Sequence, residues 1–404
     1  MEGLDKRAPF TATGGIIPPE FRNIKTPCYI LDEKALIKNA KLLGEVAERT
    51  GCKMLLAQKA FSNYDCYQFF EPYLAGTEAS GLFEARLGAE EMPEKEVHVF
   101  CAGYRADEFE ELLQYADHIV FNSPTQLLRF GPGAKEAGKS VGLRINPECS
   151  TQDGHEIYDP CAPGSRMGTT RAQWDEAFQK NPELLDLLDG LHFHTLCEQD
   201  SDDLETTLVF VKKHFGDLAS RVKWINFGGG HHITRPGYDI ERLERCIRMA
   251  KDEWKAEVYL EPGEAWALNA GFLLTRVLDV LKNGKTEIAI VDASAACHMP
   301  DVLEMPYRPP LLGADDTEED RITVRLGGPT CLSGDVIGDY KFRQLPQYGD
   351  FLMFGDMAIY TTCKNNTFNG MPLPDIWLRR ADNTMQQLTD FGYADFKERL
   401  GSRK

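Results

Sequence analysis

The stretch CKMLLAQKAF (residues 52–61) sets an apolar run against a lysine. A run of this length reads as a strand buried on both faces. An unpaired ammonium in such surroundings costs several kcal/mol unless its pKa falls or a partner neutralises it. Lys59 therefore has a partner or a task, or it snorkels out of the strand end as an ordinary solvated lysine.

Upstream of this run, TPCYILD (residues 26–32) reads as a strand and EKALIKNAKLLGEVAERT (residues 33–50) as an amphipathic helix closed by Gly51. Downstream, strands are predicted over 76–81, 96–102, 118–122, 140–146, 188–195, 223–229 and 256–262, which with 53–60 makes eight. Most are followed by a helical pattern, as in ADEFEELLQYA, DLETTLVFVKKHF and DIERLERCIRMAKDEW, whereas EAWALNAG after the eighth is only weakly helical. Eight such units in a row predict an α/β fold, a (β/α)8 TIM barrel. From Gly271 the texture changes to FLLTRVLDVL, TEIAIVDAS, RITVRLGG and DFLMFGDMAIYTT between Pro and Gly clusters, the pattern of a separate β-rich domain. The expected division is an N-terminal segment over 1–38, the barrel over 39–270 and a C-terminal β domain over 271–404. The loop over 149–168 is longer than an ordinary connection, which marks it as functional or mobile.

With 404 residues, 42% hydrophobic and 27% charged, the chain can bury a sizeable core. Its formal net charge of -18 argues against nucleic acid as a partner and favours a cationic ligand wherever that charge is focused in a cleft. No stretch approaches a membrane span and MEGLDKRAPF lacks the apolar centre of a signal peptide, so a cytoplasmic location without a membrane partner is expected. Eleven cysteines without a CxxC pair support neither a disulfide framework nor a zinc ribbon.

Barrel active sites are built at the carboxyl ends of the strands, so polar residues at those ends can be read together. They are Lys59, Arg144 in GLRINPE, His194 in LHFHT, the glycines 228–230 and Glu261 in EPGE. Loops after the seventh and eighth strands often form phosphate sites, and glycines let backbone amides approach one closely. A phosphate cradle, a lysine and a carboxylate together point to pyridoxal phosphate, whose aldehyde takes an amine and whose ring nitrogen pairs with an acid. Plainer readings stand beside this one: FGGG as a tight turn, Arg144 paired with a core acid, and Glu261 as a helix cap. His192 and His194 point the same way along a strand, so both contact something or one packs in the wall. With His231 and His232, the HxH pair also admits a metal-dependent barrel hydrolase.

Taken together, AQKAF, FGGG, EPG, GGPTCLSGD (327–335) and YTTCKNNTFNG (360–370) resemble the fold-type III, alanine-racemase-like pyridoxal-phosphate decarboxylases from about Thr26 onward. The resemblance implies a barrel followed by a β domain that the strand near Cys28 joins, and homodimers with active sites shared at their interface. It implies pyridoxal 5'-phosphate joined to Lys59, His194 stacked on its ring, Glu261 on the ring nitrogen, Arg144 in the cofactor site, and Gly229, Gly230, Gly263 and Tyr360 at the phosphate. It further implies that, from the second copy, Cys331 returns a proton after carbon dioxide leaves and Asp335 faces the substrate amine. No metal is implied. Where relatives acting on simple amino acids often read EPGR, this chain has Glu264, which puts the phosphate contact there in doubt. It also sets an acid where Glu264 and Asp301 could bind the amines of a carboxylated polyamine. GHEIYDPCAPGSRMG and NFGGGHH are similar to members with such substrates. Diaminopimelate or basic amino-acid decarboxylation is the alternative, weakened because Leu332 rather than an acid follows Cys331.

Overall fold

The structure, a computed structural model, describes residues 17–152, 159–314 and 321–401. Part of the long loop singled out above, residues 153–158, lies outside the described residues.

The chain divides into two compact units, Met1–Ile37 with Ala60–Asp65 and Ala267–Lys404, and Lys38–Lys59 with Cys66–Trp266. It opens with β1 (Cys28–Asp32) and α1 (Glu33–Thr50). The second unit is a closed barrel of eight parallel strands: β2 (Lys53–Ala57), β3 (Gly76–Ala79), β4 (Glu96–Phe100), β5 (His118–Phe121), β6 (Ser140–Arg144), β7 (Gly190–His192), β8 (Trp224–Asn226) and β9 (Glu257–Leu260). Met54 beside Leu260 closes the ring between β2 and β9. The strands end earlier than the sequence predicts. Just past β2, the Gln58 side chain donates to the Glu84 carbonyl at 2.7 Å and accepts from the Tyr67 hydroxyl at 3.0 Å.

The helices between strands are α2 (Leu82–Glu91), α3 (Ala106–Tyr115), α4 (Pro124–Glu136), α5 (Arg171–Lys180), the short α6 (Leu184–Leu187), α7 (Ser201–Ala219) and α8 (Ile240–Trp254), with a single turn, α9 (Glu264–Ala267), after β9. The weak pattern in EAWALNAG matches that turn. In α8, Leu243, Cys246, Ile247, Ala250 and Trp254 are buried, one stripe at helical spacing, and the Asp239 carboxylate caps it by accepting from the Arg242 amide at 2.9 Å.

The barrel interior is filled by side chains. Leu55, Phe100, Val120, Trp224 and Tyr259 pack together, and toward the amino end the Trp224 ring lies over Gly142 and Gly190, where a Cβ would come within 2.4 and 2.0 Å of it. At this end Lys53 donates to Glu96 at 2.6 Å and to the Tyr259 hydroxyl at 2.9 Å, while the rings of His98 and His118 stack 3.9 Å apart. The glycines are thus required by the tryptophan. Gly190→Ala is expected to cost about 1–3 kcal/mol through overpacking, read as a lower thermal midpoint, and an unchanged midpoint would mean that the ring yields freely.

The first unit is a mixed sheet in the order β13-β12-β11-β10-β1-β15-β16, with β14 paired to β10. Its strands are β10 (Gly271–Asn283), β11 (Thr286–Val291), β12 (Ile322–Gly327), β13 (Val336–Phe342), β14 (Phe351–Gly355), β15 (Asp375–Arg379) and β16 (Met385–Gln387). β1 runs antiparallel to β10 and parallel to β15, and Cys28 and Ile30 join Phe21, Ile24, Leu274, Leu312 and Met353 in its core. All eleven cysteines are free thiols. Among the described residues no helix is long and apolar enough to cross a membrane.

Candidate active site

At the carboxyl ends of the barrel strands the structure collects one polar cluster. Lys59 lies two residues past β2 and is half-buried. Its charge acts on Glu78, Glu84, His192 and His194, so the ammonium raised as a puzzle by the sequence belongs to this group.

Glu261, the first residue past β9, is 4% exposed. Its Oε1 accepts from His192 Nε2 at 2.7 Å and its Oε2 from Asn226 Nδ2 at 3.0 Å. Burial opposes its charge, but His192 and then His194 outweigh that and hold the carboxyl well below the ordinary range. The imidazoles themselves stay neutral: burial lowers His192, and burial aided by Lys59 takes His194 down to about 3. A neutral His192 must then carry its proton on Nε2 to donate to Glu261. The result is a buried, ionised acid, not a helix cap.

His194 Nδ1 accepts from the Gly229 amide at 2.9 Å, which leaves its proton on Nε2 and fixes the ring. The Gly229 amide, expected at a phosphate, is therefore engaged with His194 in this structure. Gly228 and Gly230 have φ of +73° and +79°, and a Cβ there would meet the carbonyl oxygens of Phe193 at 2.3 Å and Leu196 at 2.1 Å. These glycines are demanded by the close approach of the loops after β7 and β8. The carbonyl of Gly263 accepts from the Trp266 amide at 3.3 Å.

Arg144, the last residue of β6, is 6% exposed. Its guanidinium donates to the His194 carbonyl at 3.2 Å and lies 4.5 Å from the centroid of the Phe100 ring, whose other neighbour is His192. Among the described residues it makes no ion pair within 4 Å. Burial lowers its pKa to about 10, so it remains a cation at neutral pH. The pairing with a core acid entertained above is not what the structure holds.

Sequence reasoning missed Glu78 and Asn226. Glu78 is 2% exposed and its Oε2 has no hydrogen-bond partner among the described residues. Burial, reinforced by the Glu261 charge, raises its pKa to about 8. The signal was available, an acid inside the short strand GTEA. Because the native carboxyl keeps its proton between about pH 4.5 and 8 while an unfolded one loses it, this group lowers stability as pH rises through that window. Glu78→Gln is expected to raise the melting temperature of the cofactor-free protein by several degrees at pH 7.5 and to leave it unchanged at pH 4, which calorimetry at the two pH values checks.

The remaining expected residues have settings of their own. Glu264 bonds His232 Nε2, with a Glu198 carboxylate oxygen within 4.8 Å of those atoms. Asp301 and Glu304 pair with Lys364. Cys331 is exposed and its amide donates to Asn369 Oδ1 at 2.7 Å. Tyr360 sits at the left-handed φ of 56°, its amide donating to the Ala60 carbonyl at 2.8 Å. Asp335 is 4% exposed and accepts from Ser294 Oγ at 3.0 Å and Thr330 Oγ1 at 2.6 Å, bonds that hold it against the GGPTCLSGD turn. The four imidazoles that suggested a metal hydrolase take separate partners, Glu261, the Gly229 amide, the Phe227 carbonyl and Glu264.

A buried guanidinium with no ion partner among the described residues, an ionised acid, a half-buried lysine and an imidazole fixed in one tautomer suit a planar anionic cofactor with a basic ring nitrogen and an aldehyde. A parallel barrel joined in sequence to a mixed sheet, with this set at the strands' carboxyl ends, defines the class: the chain belongs to the pyridoxal-dependent decarboxylases, and residues 28–358 match the family described as "Pyridoxal-dependent decarboxylase, C-terminal sheet domain". It is 40% identical to the carboxynorspermidine/carboxyspermidine decarboxylase of Campylobacter jejuni over 94% of this chain and 99% of that one. It is 38% identical to the carboxyaminopropylagmatine decarboxylase of a Synechocystis species, over 95% and 97%. The crystal structure of carboxynorspermidine decarboxylase from Campylobacter jejuni, complexed with norspermidine, matches with a TM-score of 0.84 at 38% identity, covering 93% of this chain and all of that one.

Proposed function

We propose that this protein is a cytoplasmic homodimer that uses pyridoxal 5'-phosphate to remove carbon dioxide from a carboxylated polyamine, carboxynorspermidine or carboxyspermidine, giving norspermidine or spermidine. The observation that carries the cofactor reading is Glu261, buried yet ionised, in one cluster with Lys59, His194 and Arg144. Relatives of 40% and 38% identity whose names give carboxylated polyamine substrates support the substrate class.

When bound, the cofactor supplies an aldehyde that takes up an amine and a protonated ring that accepts the electron pair released by C–C cleavage. Lys59 would hold the aldehyde and give it up to the substrate amine. Glu261 would keep the ring nitrogen protonated, His194 would pack on the ring face, and Arg144 would set a fixed positive charge in the same buried space. Gly230, Gly263 and Tyr360 would offer backbone and hydroxyl contacts to the phosphate, with Gly229 sharing its amide with His194. Cys331 of a second copy, an exposed thiol, would return a proton to Cα. Glu264, beside His232 and Glu198, would draw the substrate's ammonium groups, as would Asp301 once the substrate displaces Lys364. A net charge of -18 suits a polycation.

Carbon dioxide release measured with carboxynorspermidine, carboxyspermidine, carboxyaminopropylagmatine and diaminopimelate tests the substrate. A clear preference for either carboxylated polyamine is expected, and a preference for diaminopimelate would overturn the reading.

A further inference from the structure

Around Glu261 the hydrogen bonds form a closed ring. Asn226, 1% exposed at the end of β8, accepts from the Gly228 amide through Oδ1 at 2.8 Å and donates through Nδ2 to Glu261 Oε2 at 3.0 Å. The Glu261 amide in turn donates to the Gly228 carbonyl at 3.0 Å. An amide N–H can meet only the oxygen of Asn226, so the side chain's orientation is settled, and its NH2 has to face the carboxylate. We infer that Asn226 is a positioning residue that locks the Glu261 carboxylate and the first glycine of the FGGG turn into one register, so that the acid for the cofactor's ring nitrogen and the loop of glycines move as a unit.

The inference rests on the reading of Glu261 as the acid at the ring nitrogen. An asparagine is the side chain of this length that both accepts and donates here. An aspartate would keep the Gly228 bond and turn the Glu261 contact from an attraction into two carboxylates about 3 Å apart, which cannot both stay ionised at low cost. A purely local turn role and the positioning role therefore separate in one isosteric change, Asn226→Asp. The other titratable groups that act on Glu261 are His192, His194, His231, Glu78 and Arg144, and all stay in place in that variant.

The test compares wild type, Asn226→Asp, Glu261→Gln and the double variant carrying both changes. Four quantities are measured: the thermal midpoint, the pH dependence of visible absorbance, the dissociation constant of pyridoxal 5'-phosphate by fluorescence, and kcat. Asn226→Asp is expected to weaken cofactor binding about tenfold, to shift the absorbance titration and to lower kcat about 10–100-fold. In the double variant the new carboxylate at 226 again faces an amide donor, so thermal stability and cofactor affinity return toward wild type while the absorbance titration stays displaced. An Asn226→Asp protein with wild-type absorbance and affinity overturns the inference. So does a double variant no more stable than Asn226→Asp, which keeps the test valid if the single variant fails to fold. If Glu261→Gln leaves the absorbance titration unmoved, it is the reading of Glu261 that falls instead.

Discussion

Lys59→Ala is expected to lose the visible absorbance of bound cofactor and essentially all turnover, because it removes the amine that would hold the cofactor's aldehyde. Two independent facts support so large an effect. The residue lies two positions past a buried strand and is half-buried, where a bare ammonium would be costly, and its charge reaches Glu78, Glu84, His192 and His194 together. Alanine would also leave the carboxyls Glu78 and Glu84 without a cation whose charge favours their ionised forms. Spectra of the two proteins after gel filtration, together with borohydride reduction and peptide mapping of the wild type, provide the check. A reduced adduct on any other lysine, or an alanine variant that keeps its colour and rate, would remove Lys59 from the centre of the site.

Glu261→Gln is expected to lower kcat by about 10²–10³-fold while the cofactor stays attached through Lys59, the range for losing one preorganised electrostatic partner. The carboxylate has two acceptor oxygens, and both are filled by donors, His192 Nε2 and Asn226 Nδ2. A glutamine has only one acceptor, so its NH2 would face one of those N–H groups, and an amide cannot hold a proton on the ring nitrogen. KM for substrate should change little, because the charge lost would act on the ring nitrogen and not along the amine chain. Equal losses in kcat and in substrate affinity would point instead to general disturbance of the pocket.

These expectations draw unequally on sequence and structure. Lys59, His194 and Glu261 were legible because each follows an apolar strand within two residues, and barrel geometry sends every such position to one end. The β domain was legible from alternation and turn residues after Gly271. The setting of Asp335 was not legible, because its hydrogen bonds run to the hydroxyls of Ser294 and Thr330, one of them 41 residues away. Lys364 on Asp301 is a pairing across 63 positions that no local pattern announces. Strand lengths were overstated because apolar residues continue past the point where the ladder stops.

The order of apolar runs and helical stripes along the chain determined the barrel, since eight β/α units in succession have few other ways to bury their strands. It also set which residues stand at the catalytic end, because position relative to a strand's terminus is a property of the chain. Tertiary structure alone decided their chemistry. Glu261 is an ionised acid, Glu78 a protonated one and His194 a neutral ring for reasons of burial and of partners contributed by other strands. Protonation follows the local field and the donors within about 3 Å, and those are assembled only when distant segments close on one another.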